Sequence, residues 1–97
     1  MDFTAFKATL EKGEPPEGLT IPLQALWHDG KGAWETAHRR VQSDPGRDAA
    51  WVHAYLHRKE GDASNAAYWY RRAGRSAAKG SLEVEWEVIA EALLSST

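Results

Sequence analysis

Residues 53–74 read HAYLHRKEGDASNAAYWYRRAG, and this stretch decides how the chain folds. Gly61 divides it. On the N-terminal side, Trp51, Ala54, Tyr55 and Arg58 share one face at helical spacing, with Ala50, His53 and His57 beside them. On the C-terminal side, Asp62 is placed to cap a helix over Ala63–Ala73 whose inward stripe is Ala66, Tyr70 and Ala73. The pattern predicts two helices folded back on each other about a glycine turn.

The same design occurs 29 residues earlier, where Ala25 matches Ala54, His28 matches His57, Gly32 matches Gly61, Ala37 matches Ala66 and Val41 matches Tyr70. Glycine permits the tight turn, alanine lets two helix backbones approach, and the large residue fills the next layer. Through Gly61, Asp62, Ala66, Trp69, Tyr70 and Ala73 the second copy resembles the tetratricopeptide family and its bacterial relatives that end in Trp-Tyr-x-x-Ala. The first copy matches through Gly32, Ala37 and Val41, and has Asp44 where that pattern has alanine. The longer string from Trp27 to Gly74 also resembles small uncharacterised bacterial proteins. The tetratricopeptide resemblance implies stacked helical hairpins, here over about residues 22–42 and 48–74, whose concave face binds a peptide or protein and which is not itself catalytic. Such arrays need about three repeats to bury a continuous core. Flanking helices, or a homodimer, are therefore expected to complete this one.

The flanks supply candidates. Phe3, Phe6 and Leu10 fall on one stripe behind Asp2, which predicts a short helix over residues 2–12. GEPPEG at 13–18 breaks it. Pro22 suits the first turn of a helix carrying Leu23, Leu26 and Trp27. Residues 33–42 form the next, with Ala37 and Val41 inward and Glu35 and Arg39 spaced to pair. SDPGRD closes that helix and offers Asp48 as the cap of its successor. GRSAAKG is a linker, and Ser81 opens a last helix, about 81–94, whose Leu82, Trp86, Ile89 and Leu93 are expected to cap the repeat pair. No segment alternates with period two, so the expectation is an all-α fold of about six helices in one domain spanning residues 1–97.

Composition narrows the function. The chain has 97 residues, 42% of them hydrophobic and 27% charged, which suits one folded domain with a single modest core. Without cysteine there is no disulfide framework, thiolate metal site or cysteine nucleophile. The start lacks the basic and apolar regions of a secretory signal, and no run of about 18 apolar residues occurs, so a soluble cytoplasmic protein without a membrane partner is expected. The net charge of −2 conceals an uneven distribution, with nine Lys/Arg against four Asp/Glu in residues 38–80 and four Glu with no basic group in residues 81–97. The acidic last helix lying near the basic middle accounts for this more simply than a nucleic acid does, since neither a motif nor overall charge supports the latter.

Two clusters of side chains carry chemistry. His53 and His57, four apart, lie on one helix side, and His38 sits on the preceding helix, so the three are the candidate metal ligands. Asp29, Glu35, Glu60 or Asp62 could add a carboxylate. The competing account makes His28 and His57 hydrogen-bonding groups at the hairpin turns and leaves His38 and His53 on the surface. From sequence alone that account is preferred, and no glutamate stands between His53 and His57 to make a metalloprotease motif. The second cluster is Tyr68, Trp69, Arg71 and Arg72, the candidate partner-binding residues. Tyr68, Trp69 and Tyr70 point about 100° apart around a helix and cannot all be buried, and Tyr70 is the core choice. No serine has a nucleophile-elbow context and GKGAW lacks the glycines and Lys-Ser/Thr pair of a phosphate loop, so no enzymatic activity and no cofactor is expected. A non-catalytic binding or scaffold module is the leading expectation, and a metal-binding protein using His38, His53 and His57 is the alternative.

Overall fold

Two glycines at matching places in the repeat turn the chain. Gly32 has φ +83° and Gly61 φ +90°, in the left-handed region that a residue with a Cβ rarely adopts. Their hydrogen bonds match as well. Gly32 and Ala33 donate to the carbonyls of Asp29 and His28 at 2.9 Å each, and Gly61 and Asp62 donate to those of Arg58 and His57 at 3.1 and 2.9 Å. Both helix ends thus close by the Schellman pattern, which satisfies carbonyls that the helix leaves open.

The computed structural model describes residues 1–96. Among them are six α-helices and no strand: α1 (Phe3–Ala8), α2 (Ile21–Gly30), α3 (Trp34–Gln42), α4 (Arg47–Glu60), α5 (Ala63–Ala73) and α6 (Leu82–Ser95), with a 3-10 turn over Thr9–Glu11 after α1. The chain is therefore all-α. The most extensive contacts join α2 to α3 and α4 to α5; α3 also packs on α4, while α6 lies against α1, α2 and α4. No helix of the described residues is long and apolar enough to cross a membrane.

Local chemistry explains most boundaries. Asp2 caps α1 by accepting the Ala5 N–H at 2.8 Å, Asp62 caps α5 by accepting that of Asn65 at 3.2 Å, and Ser81 caps α6 by accepting that of Val84 at 3.1 Å. Pro22 occupies the first turn of α2, where its missing donor costs nothing. Three local expectations are corrected. The helix expected over 2–12 ends at Ala8 and tightens into the 3-10 turn, with the Thr9 hydroxyl donating to the Phe6 carbonyl at 2.6 Å. Asp48 does not cap α4. The Asp44 carboxylate accepts the Gly46 N–H at 2.9 Å, so the helix starts at Arg47 behind Gly46 and Asp48 lies in its first turn, where its charge suits the helix dipole. Arg39 reaches Thr36 Oγ1 at 3.4 Å and forms no ion pair with Glu35.

The core collects side chains from every helix. Phe6, Leu23, Leu26, Val41, Val52, Leu56 and Ile89 are buried, as are Ala25, Ala37, Ala54 and Ala66, the small residues where the paired helices approach. Tyr55, Tyr70, Trp86 and Leu93 are buried too, and Leu82 is half-buried. The Trp86 ring stacks on Phe6 with centroids 5.8 Å apart, and its Nε1 donates to the Leu26 carbonyl at 3.0 Å.

Two buried carboxylates tie helices together. Glu85 of α6 accepts from Arg58 at 2.9 Å and from the Tyr70 hydroxyl, so one acid joins α4, α5 and α6. Asp29 accepts from the Tyr55 hydroxyl at 2.9 Å and from Lys59 at 3.0 Å, joining α2 to α4. Burial and these acids push the ionisation of both tyrosines up.

Candidate metal centre

α3 packs on both α2 and α4 and buries Ala37 and Val41, and His38 follows Ala37 on the helix. From α4, His53 and His57 rise one turn apart on the same side, 4% and 7% exposed. The three imidazoles meet. His38 Nε2 and His53 Nε2 are 3.0 Å apart, and one ligand nitrogen from each ring lies within 4.8 Å of the other two. Ring centroids are 4.7 Å apart for His38 and His53, 4.8 Å for His53 and His57, and 5.3 Å for His38 and His57.

Two tryptophans wall the cluster. Trp34, one turn before His38 on α3, stacks on the His38 ring at 5.0 Å and 7°, and its Nε1 donates to the Leu56 carbonyl at 2.9 Å. Trp69 of α5 stacks on the His53 ring at 3.9 Å and 16°. The centre therefore lies on α4 with an aromatic wall from α3 on one side and from α5 on the other.

Polar partners differ from ring to ring. His57 Nδ1 lies 2.7 Å from Glu60 Oε2, one turn later on α4. Facing nitrogens of His38 and His53 can share one proton, so one ring donates and the other accepts. His53 Nδ1 is buried without a hydrogen-bond partner in the protein. Burial first, then the neighbouring His38 and His57 rings, pushes the His53 pKa down from 6.5 to about 4. Burial and His57 also lower that of His38, with Glu60 acting in the opposite direction. Neutral imidazoles with available lone pairs are what a divalent metal requires.

His38, His53 and His57, separated by 15 and 4 residues in sequence, are thus brought together. The surface account of His38 and His53 is corrected, because His53 is buried and His38 half-buried. The His28 side chain makes no hydrogen bond at its turn, and its Nε2 is buried without a partner, whereas His57 does bond there, to Glu60. Among the candidate carboxylates, Glu60 reaches the cluster through His57, whereas Asp29 is held by Tyr55 and Lys59. Asp62 also lies near His57 and Glu60, but its oxygens accept from Asn65 N and Nδ2 at 3.2 Å each. The four partner-binding candidates divide. Trp69 turns half inward onto His53, while Tyr68 is 44% exposed and Arg71 and Arg72 are exposed. The Arg72 guanidinium lies 5.3 Å from the Trp69 ring centroid and 5.8 Å from that of Tyr68. Sequence reasoning missed Trp34, although its four-residue spacing to His38 was a signal for a shared helix side.

No family model matches the chain, and no curated protein or solved structure matches it either.

Proposed function

We propose that the protein binds a divalent transition metal, zinc foremost, through His38, His53 and His57. One observation carries this: two helices place three imidazoles with their nitrogens within 4.8 Å of one another. Zinc holds nitrogen at about 2.0–2.1 Å, which in a tetrahedral site separates ligand nitrogens by about 3.3 Å. The His38–His53 separation of 3.0 Å is already close to that value. Three protein ligands leave a fourth position for water or another small ligand. Calorimetric titration of the chelator-treated chain with zinc tests the proposal. One equivalent should bind, and His38→Ala or His53→Ala should abolish the heat. Absence of heat with the unaltered chain removes the proposal.

A second reading, that of a tetratricopeptide-like scaffold for an acidic peptide or protein, rests on the matched turns at Gly32 and Gly61 and on the exposed Tyr68, Arg71 and Arg72. With only two hairpins, α1 and α6 would cover the ends of the array, or a second copy would extend it. Fluorescence anisotropy with labelled acidic peptides checks it, and the Arg71→Glu/Arg72→Glu double variant should lose saturable binding. Neither reading makes the protein an enzyme, and both suit a cytoplasmic, cysteine-free chain.

A further inference from the structure

We infer that Glu60 is a positioning residue of this centre, holding His57 in the tautomer that ligates metal through Nε2; the inference rests on the metal reading above. A carboxylate accepts hydrogen bonds and does not donate them. With Glu60 Oε2 at 2.7 Å, the His57 Nδ1 must carry the proton. A neutral imidazole has one N–H, so the lone pair stands on Nε2. Glu60 also stops the ring from turning, and a carboxylate behind a ligating histidine raises the basicity of the ligating nitrogen.

The repeat shows that the hairpin does not need these groups in order to fold. Shifted by 29 residues, Glu60 falls on Lys31, His53 on Gln24 and His38 on Ala67. Lys31 donates to the carbonyls of Leu10 and Lys12 at 2.7 and 2.9 Å, and Gln24 to that of Leu19 at 2.9 Å. His57 falls on His28, and no carboxylate hydrogen-bonds that ring: its Nε2 is buried without a partner. Both turns nevertheless close by the same hydrogen bonds. His53, Glu60 and Trp69 therefore belong to the second copy alone and His38 and Trp34 to the first alone, while both turns close equally well. The Glu60 side chain is 40% exposed, so it contributes little to the core and can be replaced without opening it.

The test compares the full-length chain with Glu60→Ala and Glu60→Gln at pH 8. Long-range proton–nitrogen NMR on the metal-free proteins reads the tautomer of His57, and zinc titration reads affinity. In the unaltered chain His57 should be protonated on Nδ1. Glu60→Ala should lose that preference and weaken zinc binding by about 10–100-fold, the usual effect of removing such a partner. Glu60→Gln keeps an oxygen acceptor and should recover part of the loss. His57 protonated on Nε2, zinc ligated through His57 Nδ1, or Glu60→Ala binding zinc as tightly as the unaltered chain each overturns the assignment. Failure of the metal reading is distinguishable from these: the unaltered chain then takes up no zinc while the Nδ1 tautomer is still present, and Glu60 loses its positioning role with the metal.

Discussion

Tyr70 illustrates how one residue serves two requirements. Its ring is buried in the layer between α5 and its neighbours, while its hydroxyl ends on the buried Glu85 carboxylate. Tyr70→Ala should cost about 3–5 kcal/mol, as other large-to-small aromatic substitutions in cores do. Tyr70→Phe keeps the ring and removes one donor from a buried acid, for which about 1–3 kcal/mol is expected. Chemical denaturation of the two variants separates the contributions, and a loss below about 1 kcal/mol for Tyr70→Ala contradicts the core role. His53 makes the corresponding statement about pH. Its folded pKa of about 4 lies below the ordinary 6.5, so between those values the unfolded chain binds more protons than the folded one. Stability is therefore complete above pH 6.5 and declines as pH falls toward 4, by about 1.4 kcal/mol per unit for one group. His38 across the interface and His57 on the same helix act in this direction on His53. Melting temperatures of the metal-free chain at pH 7.5, 5.5 and 4.5 should fall in that order. His53→Gln, which installs the residue found at the matching place in the first copy, should flatten the profile. An unchanged slope would show that other groups govern it.

At the scale of helices and turns, glycines do two different jobs. A Cβ on Gly61 would meet nothing within 4 Å, so the cost of Gly61→Ala is that of the left-handed backbone alone, about 1–2 kcal/mol. Gly30 is not in that conformation, but a Cβ there would lie 3.0 Å from Leu10 and 3.1 Å from Trp86, so Gly30→Ala should lose about 1–3 kcal/mol through overpacking between α2 and α6. Trp86→Phe, which gives room at that contact, should relieve part of the Gly30→Ala loss and none of the Gly61→Ala loss. Equal relief of both would refute the distinction. α6 itself carries the largest element-level prediction. It covers the α2–α4 face with Trp86, Ile89 and Leu93 and brings the acid that Arg58 and Tyr70 need. A chain ending at Gly80 would expose that face and leave Arg58 without its carboxylate, and it should aggregate or unfold. A soluble, cooperatively melting truncated chain would contradict this.

For the whole molecule, the histidine centre joins the first helix pair to the second, because His38 belongs to α3 while His53 and His57 belong to α4. A metal bound only by the folded chain adds stability by mass action, about 2.7 kcal/mol at a hundredfold excess over Kd. In a chain of this size, that should raise the melting temperature by roughly 10 °C. Scanning calorimetry with and without zinc measures it, and His53→Gln should erase the shift. The spacing of these histidines is set by the contact of α3 with α4.

How much of this was legible in advance follows from the range of each interaction. The helical period, the glycine turns, the caps at Asp2, Asp62 and Ser81, and the inward stripes of Ala66–Tyr70 and Trp86–Ile89 are set by residues within a few positions of one another. Sequence by itself therefore determined the all-α class, the turns and most of the core. It missed the start of α4 because no side chain caps that end: Gly46 stands at the cap position, held in the turn by the Asp44 carboxylate. Sequence also named His38, His53 and His57 as a group, since spacing places the last two on one side of a helix. It could not bring His38 to them. A rotation of α3 by one residue turns a side chain through about 100° and shifts it by about 1.5 Å along the axis. Whether three rings close on one point is thus decided by how α3 seats against α4. The His57–Glu60 contact is a local one, three residues apart on α4, whereas the tertiary structure alone stacked Trp69 on the His53 ring and set His38 against His53. These contacts depend on helix rotation and side-chain rotamer, which the hydrophobic pattern does not encode to within the few tenths of an ångström that ligation requires.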